Sequence, residues 1–147
     1  MAVERFESEL GRLGNLSTQE LARSLEGVIT TERQQVVFVI AHLAVLRERK
    51  GHLELGYQSL FEYCEEHLGL SRGTVWNRLQ VASVAMRFPV VLDELFRGSI
   101  SLTVAGQLAP HLTPTNVAEL IGRSRGKTKA EVSELLVEYA PKPAVRP

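Results

Sequence analysis

Residues 59–82 read SLFEYCEEHLGLSRGTVWNRLQVA, and the order of residue types in that stretch decides the fold. Ser59 and Glu62 are spaced as a capping box that opens a short helix. Gly69 is placed to end that helix, because glycine takes the left-handed conformation that closes helices without a steric penalty. Ser71 then supplies the cap of a second helix. Two helices joined by a short glycine turn form a helix-turn-helix, which we place at about Phe61 to Ala82. Val75 and Leu79 lie four apart on its inward face, leaving Arg72, Gly73, Trp76, Asn77 and Gln80 outward.

Those outward types suit a base-reading helix. Arg pairs bidentately with guanine, Asn and Gln pair with adenine, and a helix N-terminus capped by Ser71 holds a phosphate. Gly73 permits a close approach to the groove, and Trp76 either stacks on a sugar or base or packs against its own fold or a partner. The candidate DNA-contacting residues on this element are Ser71, Arg72, Gly73, Thr74, Trp76, Asn77, Arg78 and Gln80. A bland alternative is a helical hairpin that only packs.

Outward from the motif, every periodic segment is helical and no hairpin-bounded alternation occurs, so the chain is predicted to be an all-α, multi-helix bundle. Ser17-Thr-Gln-Glu20 is a capping box opening a helix that weakens near Gly27, and a further helix is expected from Thr31 to Lys50, stopping at Gly51. Between Val36 and Leu46 almost every position is apolar, which leaves no wide polar face. That segment reads as a central core helix or a dimer seam, with His42 buried in it. Short helices should follow at about 90–97, 102–109, 114–122 and 129–139, punctuated by Gly98, Pro110, Pro114 and Gly126 and capped at Ser101, Thr113 and Thr128. The domain reading is a flexible N-terminus at 1–16, a helical core or dimerisation layer at 17–55, a helix-turn-helix domain with supporting helices at 56–140, and a Pro-rich tail at 141–147.

Composition narrows the class. The 147 residues carry 17 basic and 17 acidic side chains, yet residues 1–66 hold 7 and 11 of them while residues 67–147 hold 10 and 6. The basic half contains the candidate reading helix. From His67 to Leu92 there are three arginines, Arg72, Arg78 and Arg87, and no carboxylate, and a second cluster follows at Arg123, Arg125, Lys127 and Lys129. Either group suits phosphate, and the second is equally read as a solvated loop.

The single cysteine, Cys64, permits neither an internal disulfide nor a cysteine-framed zinc site. The histidines at 42, 52, 67 and 111 have no helical metal-pair spacing, and Glu65/Glu66 and Asp93/Glu94 are adjacent rather than stacked, a poor dyad geometry. No nucleophile-base set, phosphate loop, export signal or membrane span is evident. A cytoplasmic, non-enzymatic protein without cofactor or metal is expected.

The segment LGLSRGTVWNRL at 68–79 resembles the helix-turn-helix of ParB-type partition proteins. The likeness extends over about 60–110, through Phe88-Pro89 and the segment RGSISLTVA at 97–105. Glu65 and Arg78 differ from the small and apolar residues usual at their positions, and residues 1–58 contain no counterpart of the CTPase segment. Over about 17–143 the chain also resembles the helical region that precedes HNH nuclease domains in bacterial proteins, through LELGYQSLFEY at 53–63 and LAPHLTP at 108–114. The resemblances imply a DNA-binding module serving transcription control, partition-like DNA organisation or nuclease targeting. The expected partners are double-stranded DNA, a second copy in a homodimer and a nuclease or other protein. The rival class is a non-catalytic oligomerisation or adaptor domain.

Overall fold

The computed structural model describes residues 2–139, with side chains from residue 4 onward; the Pro-rich tail expected at 141–147 lies outside the described residues. Among the described residues every regular element is helical. Helix α1 spans Ala2–Gly14, α2 Thr18–Glu48 and α3 Gly51–Glu54; α4 is the single turn Leu60–Glu62, continued by a π-helical turn over Tyr63–His67. Helix α5 spans Arg72–Ala85, α6 Val90–Arg97, α7 Leu102–Leu108, α8 Val117–Ser124 and α9 Lys129–Val137. The segment read from sequence as a loose N-terminus is thus helical from Ala2, with Phe6 and Leu10 exposed to solvent.

Helix α2 is one element where the sequence predicts two. Its start is as expected: Ser17 Oγ accepts from Glu20 N and Glu20 Oε1 accepts from Ser17 N, closing the capping box. Gly27 does not interrupt it, because a single interior glycine costs only about 1 kcal/mol against alanine. Thr31, read as a helix start, instead donates its hydroxyl back to the Gly27 carbonyl at 3.0 Å. Lys50 in the left-handed conformation ends the helix (φ 53°).

The core is one cluster that draws on both predicted layers. Ile40 from α2 is buried with Val75 and Val81 from α5, Val104 and Leu108 from α7, Leu120 and Ile121 from α8 and Val132 from α9. Helix α5 lies at its centre, packed principally on α2 and α7, which explains why Val81, Ala82, Val84 and Ala85 are all buried. Full burial of such side chains contributes roughly 1.5–3 kcal/mol each. One acidic group is locked into this body. Glu94 on α6, 4% exposed, accepts from Arg125 Nη2 at 2.5 Å and from Ser99 Oγ, tying the α8–α9 connection to α6.

Of the two readings of the 36–46 stretch, core helix or dimer seam, the single chain covers only one side. Val37, Ile40, Leu43 and Ala44 are buried, while Phe38, Val39 and Val45 face outward. His42, expected in the core, is on the exposed side with its Nδ1 donating to the Phe38 carbonyl at 2.6 Å. Farther toward the N-terminus the helix leaves the body altogether. Leu21, Leu25, Val28 and Ile29 are 41–61% exposed, and α1 packs extensively on no other element. Arg33 stands where the projecting half meets the body. Its guanidinium covers Gly98, the left-handed residue ending α6 (φ 78°), where cations are favoured by the helix dipole.

Candidate nucleic-acid interface

The α4–α5 pair forms with the local chemistry expected of it. Ser59 Oγ accepts from Glu62 N, and the π-helical turn closes with Leu68 N donating to the Tyr63 carbonyl and Leu70 N to the Cys64 carbonyl. Gly69 takes the left-handed conformation there (φ 68°). Ser71 caps α5: its Oγ accepts from Thr74 N at 3.4 Å and donates to Thr74 Oγ1 at 2.8 Å. Both hydroxyls of the pair are therefore occupied in the cap. What remains open at this end are the amides of the first helical turn, which the helix's own ladder leaves unsatisfied.

Only one ridge of α5 reaches solvent. Arg72, Gly73 and Trp76 are exposed, Gln80 and Ser83 are half-buried, and Arg87 is exposed beyond them. A methyl group at Gly73 would meet nothing within 4 Å, so the glycine leaves room for an external surface and fills no internal need. Trp76 is 61% exposed, which leaves a sugar, a base or a partner as what it would meet. Arg72, with its side chain 84% exposed, lies over the Phe61 ring at 5.8 Å and pairs with Glu65 at 3.5 Å. So exposed a pair contributes at most about 1 kcal/mol and exchanges readily for a phosphate. Helix α5 carries no acidic residue of its own.

Two candidate DNA-contacting residues, Asn77 of the predicted outward face and Arg78, turn inward. Asn77 lies against α7, where a Cβ added to Gly106 would come within 2.9 Å of Asn77 Oδ1. Arg78 is half-buried with its Nε enclosed and without a hydrogen-bond partner, close enough to Cys64 to favour that thiol's ionised form. Burial dominates at Cys64 and pushes its pKa up, so the buried free thiol is poorly nucleophilic. The physical reason for both turns is the central position of α5: packing on α2 and α7 from either side leaves less than half its circumference to solvent.

The second basic cluster is engaged by carboxylates. Arg123 pairs with Glu138 at 2.9 Å and with Glu119 at 3.9 Å, and its hydrogen bonds to Glu138 and Tyr139 raise its pKa further. Arg125 holds Glu94 through its Nε and Nη2. Lys127 lies 3.9 Å from Glu131, and Lys129 is exposed at the start of α9, its carbonyl accepting from Gln107 Nε2. This loop is cross-braced, and the ridge of α5 is not. Arg87, which sequence reading left off the contact set, joins the ridge. Its signal was the continuation 76, 80, 83, 87 along one helical face.

Among the described residues no helix is long and apolar enough to cross a membrane, and no cluster of three His, Cys, Asp or Glu residues is placed to hold a metal ion. Comparison with protein-family models, with curated proteins and with solved structures finds no match to this chain.

Proposed function

We propose that the chain binds double-stranded DNA through the exposed ridge of α5. The observation that carries this reading is the open first turn of α5, where Arg72, Gly73 and Trp76 stand clear of the body beyond the Gly69 turn. Recognition helices of helix-turn-helix proteins place their N-terminal residues at base edges while the support helix crosses the backbone. In that pose Arg72 meets a guanine edge, Gly73 lets the helix axis come close, and Trp76 covers a sugar or a base face. Arg87 and the free amides of the first turn take phosphates, with Gln80 between them. Asn77, Arg78 and the Arg123–Lys129 segment shape and brace this surface instead of touching the nucleic acid. Transcription control, DNA organisation and targeting of a nuclease would each use the same contact.

The test is fluorescence-anisotropy titration of duplex DNA at two salt concentrations, with Arg72→Ala, Trp76→Ala and Asn77→Ala beside the parent. We expect salt-sensitive binding whose logarithmic slope falls by about 1 in Arg72→Ala if that residue meets phosphate, and sequence discrimination that relaxes if it meets a base. Asn77→Ala should bind as the parent does. No binding of the folded parent at low salt would overturn the reading and leave the adaptor class.

A further inference from the structure

One face of α2 is exposed over most of its length and carries apolar residues at five of its eight stripe positions, and the spacing along it identifies its occupant. Leu21, Leu25, Val28, Glu32, Gln35, Val39, His42 and Leu46 follow the alternating four-three spacing that keeps residues on one stripe of a supercoiled helix. The helix has 31 residues, a rod of about 46 Å. Its body half is bordered by a shallow groove lined by Phe38, Val39, His42, Leu46, Tyr63 and Leu68. Its projecting half presents Leu21, Leu25 and Val28, with Ile29 beside them, to open solvent.

We infer that a second copy of this chain covers the stripe, with the two α2 helices antiparallel, so that each projecting half lies in the groove of the other copy's body half. Three observations select this occupant. Reversed about its midpoint, the stripe maps onto itself: Leu21 meets Leu46, Leu25 meets His42, Val28 meets Val39, and Glu32 meets Gln35. A two-fold axis makes such an isologous contact from a single patch. Flanking positions along the seam, Ala22, Ser24, Ile29, Thr31, Val36, Phe38 and Val45, are uncharged, and the stripe's one acidic position, Glu32, faces the amide side chain of Gln35 in the other copy. The ends then choose direction. On α2 itself Glu20 and Glu26 against Arg23 make the N-terminal end acidic, whereas Arg47, Arg49 and Lys50 against Glu48 make the C-terminal end basic. Antiparallel pairing sets acidic end beside basic end, and parallel pairing would set like beside like.

This inference does not depend on DNA binding. Sedimentation velocity of the whole chain over a concentration series should give a dimer, and Val28→Glu should weaken association about 100-fold by placing two carboxylates in the seam, with the far-ultraviolet circular dichroism of the body retained. Oxidative cross-linking reads the direction. A Val28→Cys/Val39→Cys chain should form disulfide-linked dimers, and Leu21→Cys alone should not. A monomer at about 100 μM, a dimer indifferent to Val28→Glu, or efficient cross-linking through Leu21→Cys alone would each overturn the antiparallel seam.

Discussion

The two halves of α2 are continuous in backbone and opposite in surroundings. From Val37 to Ala44 its inward positions are buried beneath α5 and α6, whereas from Thr18 to Glu32 every position is exposed or at most half-buried. Apolar residues occur in both halves at helical spacing, so apolarity alone does not decide burial; the presence of other helices beside the segment does. The comparison predicts that one substitution type has two outcomes. Ile40→Ala or Leu120→Ala, at fully buried sites, should cost about 3–4 kcal/mol in denaturant unfolding. Leu25→Ala should change monomer stability by under about 0.5 kcal/mol. A large loss for Leu25→Ala under monomeric conditions would mean that the projecting half folds as part of the body.

A second contrast separates the carboxylates of the two regions. Glu94 is enclosed with Arg125 and Ser99, and the Arg125 hydrogen bonds hold its carboxyl below the ordinary value of 4.5. A carboxylate depressed in the folded state stabilises it fully above the unfolded value, and that contribution is lost as pH falls through the lower, folded value. Glu94→Gln should therefore destabilise by about 2 kcal/mol at neutral pH, and the gap to the parent should narrow on acidification below pH 4.5. Glu9 in α1 also has a lowered pKa, through Arg12, but both side chains are about half exposed. Glu9→Gln should leave the unfolding curve unmoved. Urea titrations at several pH values check both statements.

Much of this was legible in the residues. Capping chemistry is local, so the starts at Ser17, Ser59, Ser71, Ser101 and Thr128 follow from sequence, and so does the left-handed turn at Gly69. The expected helix at 114–122 begins instead at Val117, because Thr113 and Asn116 cap each other's amides across the Pro114 turn. What the sequence could not supply was the neighbour on each helical face. Periodicity marks Asn77 as polar and outward, and only the passage of α7 at Gly106 turns it into an internal contact. His42 fails in the other direction, a polar residue among apolar ones that lies on the exposed side of its helix. The basic run at Arg123–Lys129 likewise hides its tightest pairings, whose carboxylates are distant in sequence: Glu94 lies 31 residues from Arg125 and Glu138 lies 15 from Arg123.

Asn77 and Arg72 sharpen the comparison within α5, since they are five residues apart and face different media. Asn77→Ala should lower stability by about 1 kcal/mol through the lost contact at α7 and leave DNA affinity unchanged. Arg72→Ala should do the reverse, because its ion pair with Glu65 is exposed. Thermal melts and anisotropy titrations on the two variants separate packing from recognition. If both effects fell on one residue, the ridge would be displaced from where α5 presents it.

The smallest expected difference is also the most direct test of whether the projecting half is coupled to the body. Ser17 and Thr128 close the same reciprocal box with the glutamate three residues on, with oxygen-to-amide distances of 3.1 and 3.2 Å. Local chemistry predicts equal losses on removal, about 1 kcal/mol for either cap. Thr128 opens α9, which buries Val132 in the core, so fraying its first turn loosens packing that the body's cooperative unfolding reports. Ser17 opens the exposed half of α2, where fraying uncovers nothing that is buried in the single chain. Thr128→Ala should thus lower the midpoint of global unfolding. Under monomeric conditions Ser17→Ala should leave that midpoint in place and accelerate amide exchange only near Thr18 to Leu25, where local opening is independent of the global transition. Were Ser17→Ala to acquire a stability effect as concentration rises, the extra loss would measure how far a second copy, and not the body, holds this half of the helix in place.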